Sequence, residues 1–420
     1  MSIDAFNSKV MTTYGRYPVT MSSGSGCTLT DTSGKVYLDF VAGIATCALG
    51  HADPTLAAAV TKQMQTMHHT SNLYYSAGQG NLAAWLVANS PADKVFFANS
   101  GAEANEAAFK LARKHASLRG VTDPVIITAG SSFHGRTLAA VTATAQPKYH
   151  QGFSYGGKMV PGFSHCVYND VSSLRSVFKK HSSTPLRHKL LGRKRRVAAV
   201  LLESLQGEGG IRPGDKDFFE EARRLCDEHG ALLICDEVQV GMGRSGKLWG
   251  FENLGVVPDA FTTAKALGGG VPIGAMCARG EAAEALGPGE HATTYGGNPL
   301  ACAAGLAVAG EFSRRDILGN VVERGEQLKS GLQAIVDANP AVLSEVRGWG
   351  LLVGVEIKDS VPATAAQVVS KAMDKGLLLV PAGVKVVRFV PPLVVSEEEV
   401  GKALDMFRES VEELAKEMEK

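Results

Sequence analysis

Short apolar runs separated by polar turns and by longer amphipathic stretches organise this chain. The runs at 94–98, 125–128, 197–202 and 231–235 are too short for ordinary helices, and they predict strands buried on both faces. Helix-period stretches lie between them. One starts at Asp53-Pro54, an acid before a proline, and runs through Leu56, Ala59, Val60 and Met64. Another puts Ala104, Ala107, Ala108, Leu111 and Ala112 on one stripe with Lys110, Arg113 and Lys114 elsewhere, and residues 218–229 read as a third. Strands alternating with helices predict an α/β fold, with a mostly parallel sheet covered by helices on both faces.

The two ends follow a different pattern. Residues 22–26 are Ser/Gly-rich, then 31–34 reads as the turn of a hairpin and 35–40 as its returning strand. From about residue 310 the pattern is α+β. Gly348-Trp349-Gly350 precedes a strand at 351–355, and a strand at 386–390 is closed by Pro391-Pro392. The chain finishes in a helix with a Ser396/Glu399 capping box and an apolar stripe of Val400, Leu404, Phe407, Val411 and Leu414. At 420 residues the chain is too long for one ordinary core. The predicted division is an N-terminal segment, 1–50, packing with a small C-terminal domain, 311–420, around a large domain, 51–310.

Polar residues gather where the predicted strands end. The run 231–235 stops on Asp236-Glu237, and a second short apolar step ends at Lys265, followed closely by Gly268-Gly269-Gly270. Ligands of open α/β sheets bind at the carboxyl edge of the strands, so an acid there is placed to face a ligand. A lysine in a partly apolar pocket loses some preference for its charged form, and its free amine can form a Schiff base with a carbonyl. Pyridoxal phosphate chemistry needs both groups, a lysine to hold the aldehyde and a carboxylate to keep the pyridine nitrogen protonated. A surface lysine and a loop acid are the plain alternative. The Gly/Ser turn 99–102 opens a helix and reads as a phosphate site or as simple capping. Phe133 and Arg136 follow the strand 125–128; they suit ring stacking and carboxylate recognition, or a core aromatic and a solvated cation.

One motif points elsewhere. Gly241-Met242-Gly243-Arg244-Ser245-Gly246 matches a dinucleotide-binding turn after a strand, but Lys247-Leu248-Trp249 continues it without a cap or helical period, which predicts a loop. Composition narrows the rest. A formal charge of +1 gives no global pull toward nucleic acid or anionic membrane, and the basic stretch 187–196 lacks interleaved aromatics and reads as an exposed loop. Seven scattered cysteines without a C-x-x-C pair predict free thiols, with no disulfide framework and no metal site. The adjacent His68 and His69 cannot share a helix face and read as helix-end polarity. No run reaches membrane-spanning length and the first residues lack a secretory core, so a soluble intracellular protein is expected.

Taken together, these motifs resemble the class III pyridoxal-phosphate aminotransferases, most closely the acetylornithine aminotransferase subgroup, from Tyr37-Leu38-Asp39-Phe40 to Arg388-Phe389-Val390-Pro391-Pro392. The resemblance implies a fold-type-I transferase using pyridoxal 5'-phosphate, with Lys265 as the Schiff-base lysine and Asp236 as the partner of the pyridinium nitrogen. It implies that Gln239 reaches the cofactor's phenolic oxygen, that Val238 and Phe133 pack on the ring, and that Gly101 and Ala102 give N–H groups to its phosphate. Thr294 is similar to a threonine reaching the neighbouring subunit's phosphate, which implies a homodimer with shared sites. Arg136 resembles the arginine that binds the substrate α-carboxylate. Glu208 and Arg388 resemble a switch pair, the arginine taking the side carboxylate of glutamate or 2-oxoglutarate and the acid neutralising it otherwise. Tyr14 sits where ornithine aminotransferases keep a tyrosine for the α-amino group. The implied reaction moves the terminal amino group of N-acetylornithine to 2-oxoglutarate. Ornithine or succinylornithine as donor, a non-catalytic relative of the fold and a nicotinamide-dependent dehydrogenase are the other readings. The chain departs from the family pattern at Ser204, where proline is usual, at Ala102, where threonine is common, and in the basic insertion. Several stretches are similar to plastid versions, which favours an organelle, plastid or mitochondrial matrix, over a bacterial cytoplasm.

Overall fold

The computed structural model describes residues 3–182, 192 and 194–418. Its N-terminal strands are β1 (Met21–Ser25), β2 (Thr28–Asp31) and β3 (Val36–Asp39). The next are β4 (Lys94–Ala98), β5 (Asp123–Ala129), β6 (Phe163–Cys166) and β7 (Arg195–Glu203), then the short pair β8 (Leu205–Gln206) and β9 (Arg212–Pro213). β10 (Leu232–Asp236), β11 (Ala260–Thr263) and β12 (Gly274–Ala278) complete the central region. β13 (Leu343–Trp349), β14 (Leu352–Ile357), β15 (Leu377–Leu378), β16 (Val380–Ala382) and β17 (Val386–Phe389) follow.

The central sheet has seven strands in the order β4-β12-β11-β10-β7-β5-β6. Every pairing in it is parallel except those of β12, which runs antiparallel to both β11 and β4. Its middle strands are apolar throughout because helices cover both faces: Val197 to Leu202 and Leu232 to Cys235 are buried without exception. The helix Gly101–Leu118 buries the small-residue stripe Ala104, Ala107, Ala108, Leu111 and Ala112, which lets it lie close against the strands. The helix Pro54–Thr66 behaves differently. Asp53 caps it by accepting from the Leu56 N–H, and its stripe residues Leu56, Ala59 and Val60 are half-buried while Met64 is exposed, so it lies at the margin of this chain's core.

The terminal regions meet in space. β15 pairs with β3, Leu377 opposite Leu38, so the N-terminal hairpin and a C-terminal strand share one sheet. A second sheet, β13-β14-β17-β16, is antiparallel throughout. The helix Glu397–Met418 closes over it. Both bonds of the Ser396/Glu399 capping box form, at 2.8 and 3.2 Å, and Phe407 meets Phe389 edge-on with centroids 5.0 Å apart. Residues 343–349, left without an element in the sequence reading, form a hairpin with β14 through a turn at Gly350, whose φ of 51° suits glycine. Of the basic stretch, 187–191 and 193 lie outside the described residues; Arg195 already belongs to β7, and its Nε donates to Asp123 at 2.7 Å.

The glycine-rich stretch 241–246 is a run of turns with φ of 83° at Gly243 and 87° at Gly246, and it opens into no α-helix; a single short 3-10 turn, Gly250–Leu254, comes four residues later. Its arginine has a structural position. Arg244 is wholly buried and donates from Nη1 to the carbonyls of Leu351 and Pro391, tying this loop to the C-terminal region. Burial pushes its guanidinium down to about 9.

Candidate functional site

The carboxyl ends of β5, β7, β10 and β11 open into a cavity of about 560 Å³. Among its lining residues are Tyr14, Gly101, Ala102, Phe133, Arg136, Asp236, Val238, Gln239 and Lys265. Nine of the candidate residues therefore come together in one cleft. Three do not line it. Glu208 and Arg388 reach it through Gln239, and Thr294 lies exposed in a separate recess with His69 and Tyr74.

Asp236 ends β10 with only 4% of its surface exposed, and three donors hold it. His134 Nδ1 and Asn105 Nδ2 each lie 2.8 Å from Oδ2, and the Val238 N–H donates to Oδ1 at 3.0 Å. A buried carboxylate is costly unless its oxygens are hydrogen-bonded, and both oxygens here are. Asn105 is itself fixed, donating to the His134 carbonyl at 2.8 Å and accepting from Thr262 Oγ1 at 2.8 Å. The far ring nitrogen of His134, Nε2, is buried without a partner among the described residues. Neither His134 nor Asn105 was singled out from the sequence. The only signal was a polar residue facing inward on an alanine-rich helix.

Lys265 follows β11 with φ of 44°, a left-handed conformation unusual for a lysine and of the kind stored at functional sites. Desolvation pushes its amine down to about 8; the nearby Arg388 charge acts the same way, while Glu208, Asp236 and Glu203 oppose it. A lysine so shifted has a sizeable fraction of free amine at neutral pH.

At the other side of the cleft, Ser100 caps the helix Gly101–Leu118 by accepting from the Glu103 N–H at 3.2 Å. The first-turn N–H groups of Gly101 and Ala102 have no intrahelical acceptor and stand at the positive end of the helix dipole. Gly101 cannot be larger, since a Cβ there would come within 2.6 Å of Val238.

Arg388 is 1% exposed and anchors the remaining group. Its Nη1 lies 2.7 Å from Glu208 Oε1 and 2.7 Å from Gln239 Oε1. Burial works to raise Glu208, but the charge and hydrogen bond of Arg388 outweigh it, and the carboxyl is held below its usual range. Gln239 thus spends its carbonyl oxygen on Arg388, leaving its amide nitrogen as the donor for anything in the cleft.

Two further buried acids support this edge. Glu203 accepts from Phe133 N at 2.9 Å and Gly207 N at 3.1 Å, joining the two loops that carry Phe133 and Glu208. Glu237 accepts from Ser204 Oγ at 2.5 Å and from the N–H groups of Gly250 and Phe251 at 2.6 and 3.1 Å. Ser204, the departure from the family's proline, thereby supplies a side-chain donor. Burial pushes both acids up to about 7 against the pull of these donors. For Glu237 the folded value lies above its ordinary 4.5, so the folded state holds the extra proton. Its contribution is intact at low pH and is lost as pH rises through about 7. Glu237→Gln is therefore expected to melt progressively higher relative to the parent between pH 5 and pH 8. Scanning calorimetry of the cofactor-loaded proteins checks this, and a pH-independent difference would rule it out.

Among the described residues, no helix is long and apolar enough to cross a membrane. Comparison with known proteins is consistent along the whole chain. An acetylornithine aminotransferase of Thermosynechococcus vestitus is 56% identical over 415 residues, 99% of this chain and 98% of that one. Another from a Nostoc species is 55% identical over 98% of this chain and 93% of its own. Among solved structures, an N-acetylornithine aminotransferase from Stenotrophomonas maltophilia superposes with a TM-score of 0.80 at 38% identity, covering 96% of this chain and 97% of that one. An ornithine aminotransferase from Toxoplasma gondii gives a TM-score of 0.90 at 31% identity, covering 99% and 95%. The model of the family described as aminotransferase class-III matches residues 10–411, which takes in the cleft, the hairpin and the C-terminal sheet alike. The family model and these relatives span nearly the whole chain, and it belongs to the class-III aminotransferases.

Proposed function

We propose that this chain is a pyridoxal-phosphate-dependent transaminase that moves the terminal amino group of N-acetylornithine to 2-oxoglutarate, giving N-acetylglutamate semialdehyde and glutamate, in arginine biosynthesis. The observation that carries the proposal is the contrast between two arginines at one cleft. Arg136 has no acid partner among the described residues, whereas Arg388 is held by Glu208. A donor with one carboxylate and an acceptor with two must share the site, and only the second carboxylate needs a cation that can be masked. The cofactor, when bound, supplies an electron sink for the reacting carbon. The residues present fit it. Gly101 and Ala102 would offer N–H groups to its phosphate, Phe133 and Val238 would pack against its ring, and Gln239 would offer its amide nitrogen to the phenolic oxygen. Asp236, held by His134 and Asn105, keeps a proton on the pyridine nitrogen. Lys265 would hold the aldehyde and, as a free amine, would carry the proton to and from the substrate carbon.

The site is completed by a second copy of the chain. Thr294 stands outside its own cleft, although its neighbour Thr293 bonds through Oγ1 to Asn99, a cleft residue, at 3.1 Å. Around it Leu73, Tyr74, Tyr75 and Tyr295 are exposed. An apolar surface of this kind suits a symmetric partner. Tyr14 lines the cleft, as a residue for the α-amino group of free ornithine would, so ornithine is the donor to compare. Steady-state kinetics of the cofactor-loaded enzyme should give a higher kcat/KM for N-acetylornithine than for ornithine, by at least about 10-fold. Equal or reversed values would transfer the assignment to ornithine.

A further inference from the structure

An aromatic ring outside every motif singled out in the sequence packs against Arg136. Its guanidinium carbon lies 3.8 Å from the centroid of Tyr149 and 5.2 Å from that of Phe133, the two rings standing edge-to-face at 6.1 Å. Tyr149 ends a short turn, Pro147–Tyr149, that is fastened on two sides. Gln146 Nε2 donates to the carbonyls of Ser131 and Ser132 at 3.3 and 3.1 Å, the loop that leads into Phe133 and Arg136. His150 Nε2 sits 2.9 Å from the Val141 carbonyl and 2.6 Å from that of Thr144, at the end of the helix that begins just after Arg136. The ring and the arginine are therefore carried by one braced unit.

We propose that Tyr149 is the positioning residue for Arg136. An arginine can be oriented by an ion pair or by stacking, and the two have different consequences. An acid partner would occupy the N–H fork and compete with a substrate carboxylate. A ring face fixes the plane of the guanidinium and leaves the fork open. Arg388 uses the first solution and must be released by Glu208. Arg136 uses the second, so its fork stays open to a substrate carboxylate in both half-reactions. This rests on the reading of Arg136 as the α-carboxylate arginine.

The test is steady-state kinetics with both substrates on cofactor-loaded Y149L, Y149F, R136Q and the Y149L/R136Q double variant. Removing the ring in Y149L should raise KM for N-acetylornithine and for 2-oxoglutarate alike, by about 5–30-fold, with kcat within about 3-fold. Y149F keeps the face and should match the parent, and Y149L should add little once Arg136 has been replaced. Unchanged KM values in Y149L overturn the proposal while R136Q still raises them. So does an equal loss in Y149F, which would put the effect in the hydroxyl, or a rise confined to 2-oxoglutarate. If R136Q itself leaves both KM values unchanged, the α-carboxylate reading fails, and the proposal falls with it.

Discussion

Lys265→Ala is expected to lower transamination by about 10⁴-fold and to leave the purified protein unable to hold pyridoxal phosphate covalently. Two separate contributions vanish together. The amine that holds the aldehyde is lost, and so is the base that moves the proton at the substrate carbon. Its amine, pushed down to about 8 mainly by desolvation, also predicts a pH dependence. Below that value the free-amine fraction falls tenfold per pH unit, so capture of pyridoxal phosphate by the cofactor-free protein should slow in proportion, with a midpoint near 8. Stopped-flow absorbance reads the capture rate, and circular dichroism separates a chemical defect from a folding one. Retained turnover in the alanine variant would end the assignment of Lys265. A capture rate flat from pH 6 to pH 9 would instead remove the argument from desolvation.

The pattern of the chain made much of this fold legible, and the exceptions have physical causes. Apolar runs marked β4, β5, β7, β10 and β11, because strands buried on both faces need no polar alternation. β6 and β12 went unseen. Phe-Ser-His-Cys forms an edge strand with one exposed position, and Gly-Ala-Met-Cys-Ala lacks the β-branched residues that advertise a strand. Within the site, Asp236 and Lys265 were visible because a charge at the end of an apolar run breaks a pattern. Asn105, His134 and Tyr149 were not, since their meaning depends on partners brought close only by the fold. The glycine motif shows the converse. Its spacing matched a nucleotide turn, whereas Arg244 within it is buried against carbonyls of the C-terminal region. Thr294 differs again: within one chain it stays outside the cleft, and its assignment rests on the proposed second copy.

Arg388→Gln should lower kcat/KM for 2-oxoglutarate by about 10²–10³-fold, the range expected when one member of a buried charge pair is removed. The half-reaction of N-acetylornithine should change far less, because its single carboxylate is the one assigned to Arg136. Glu208→Gln should act with the opposite preference. In the parent, Glu208 covers the charge of Arg388 through the 2.7 Å contact, and the glutamine would keep an acceptor but remove the negative charge, leaving a cation 1% exposed with neutral oxygens only, its own, that of Gln239 and the Pro381 carbonyl 3.4 Å away. An uncompensated buried charge binds a dicarboxylate more tightly and a substrate without a second carboxylate less well, so affinity for 2-oxoglutarate should rise as the N-acetylornithine half-reaction slows. Single-turnover measurements, one half-reaction at a time, distinguish this from general damage. Two variants that depress both half-reactions equally would mean that the pair supports the fold of the loop. Opposed effects would mean that one salt bridge lets a single cleft serve two substrates of different charge.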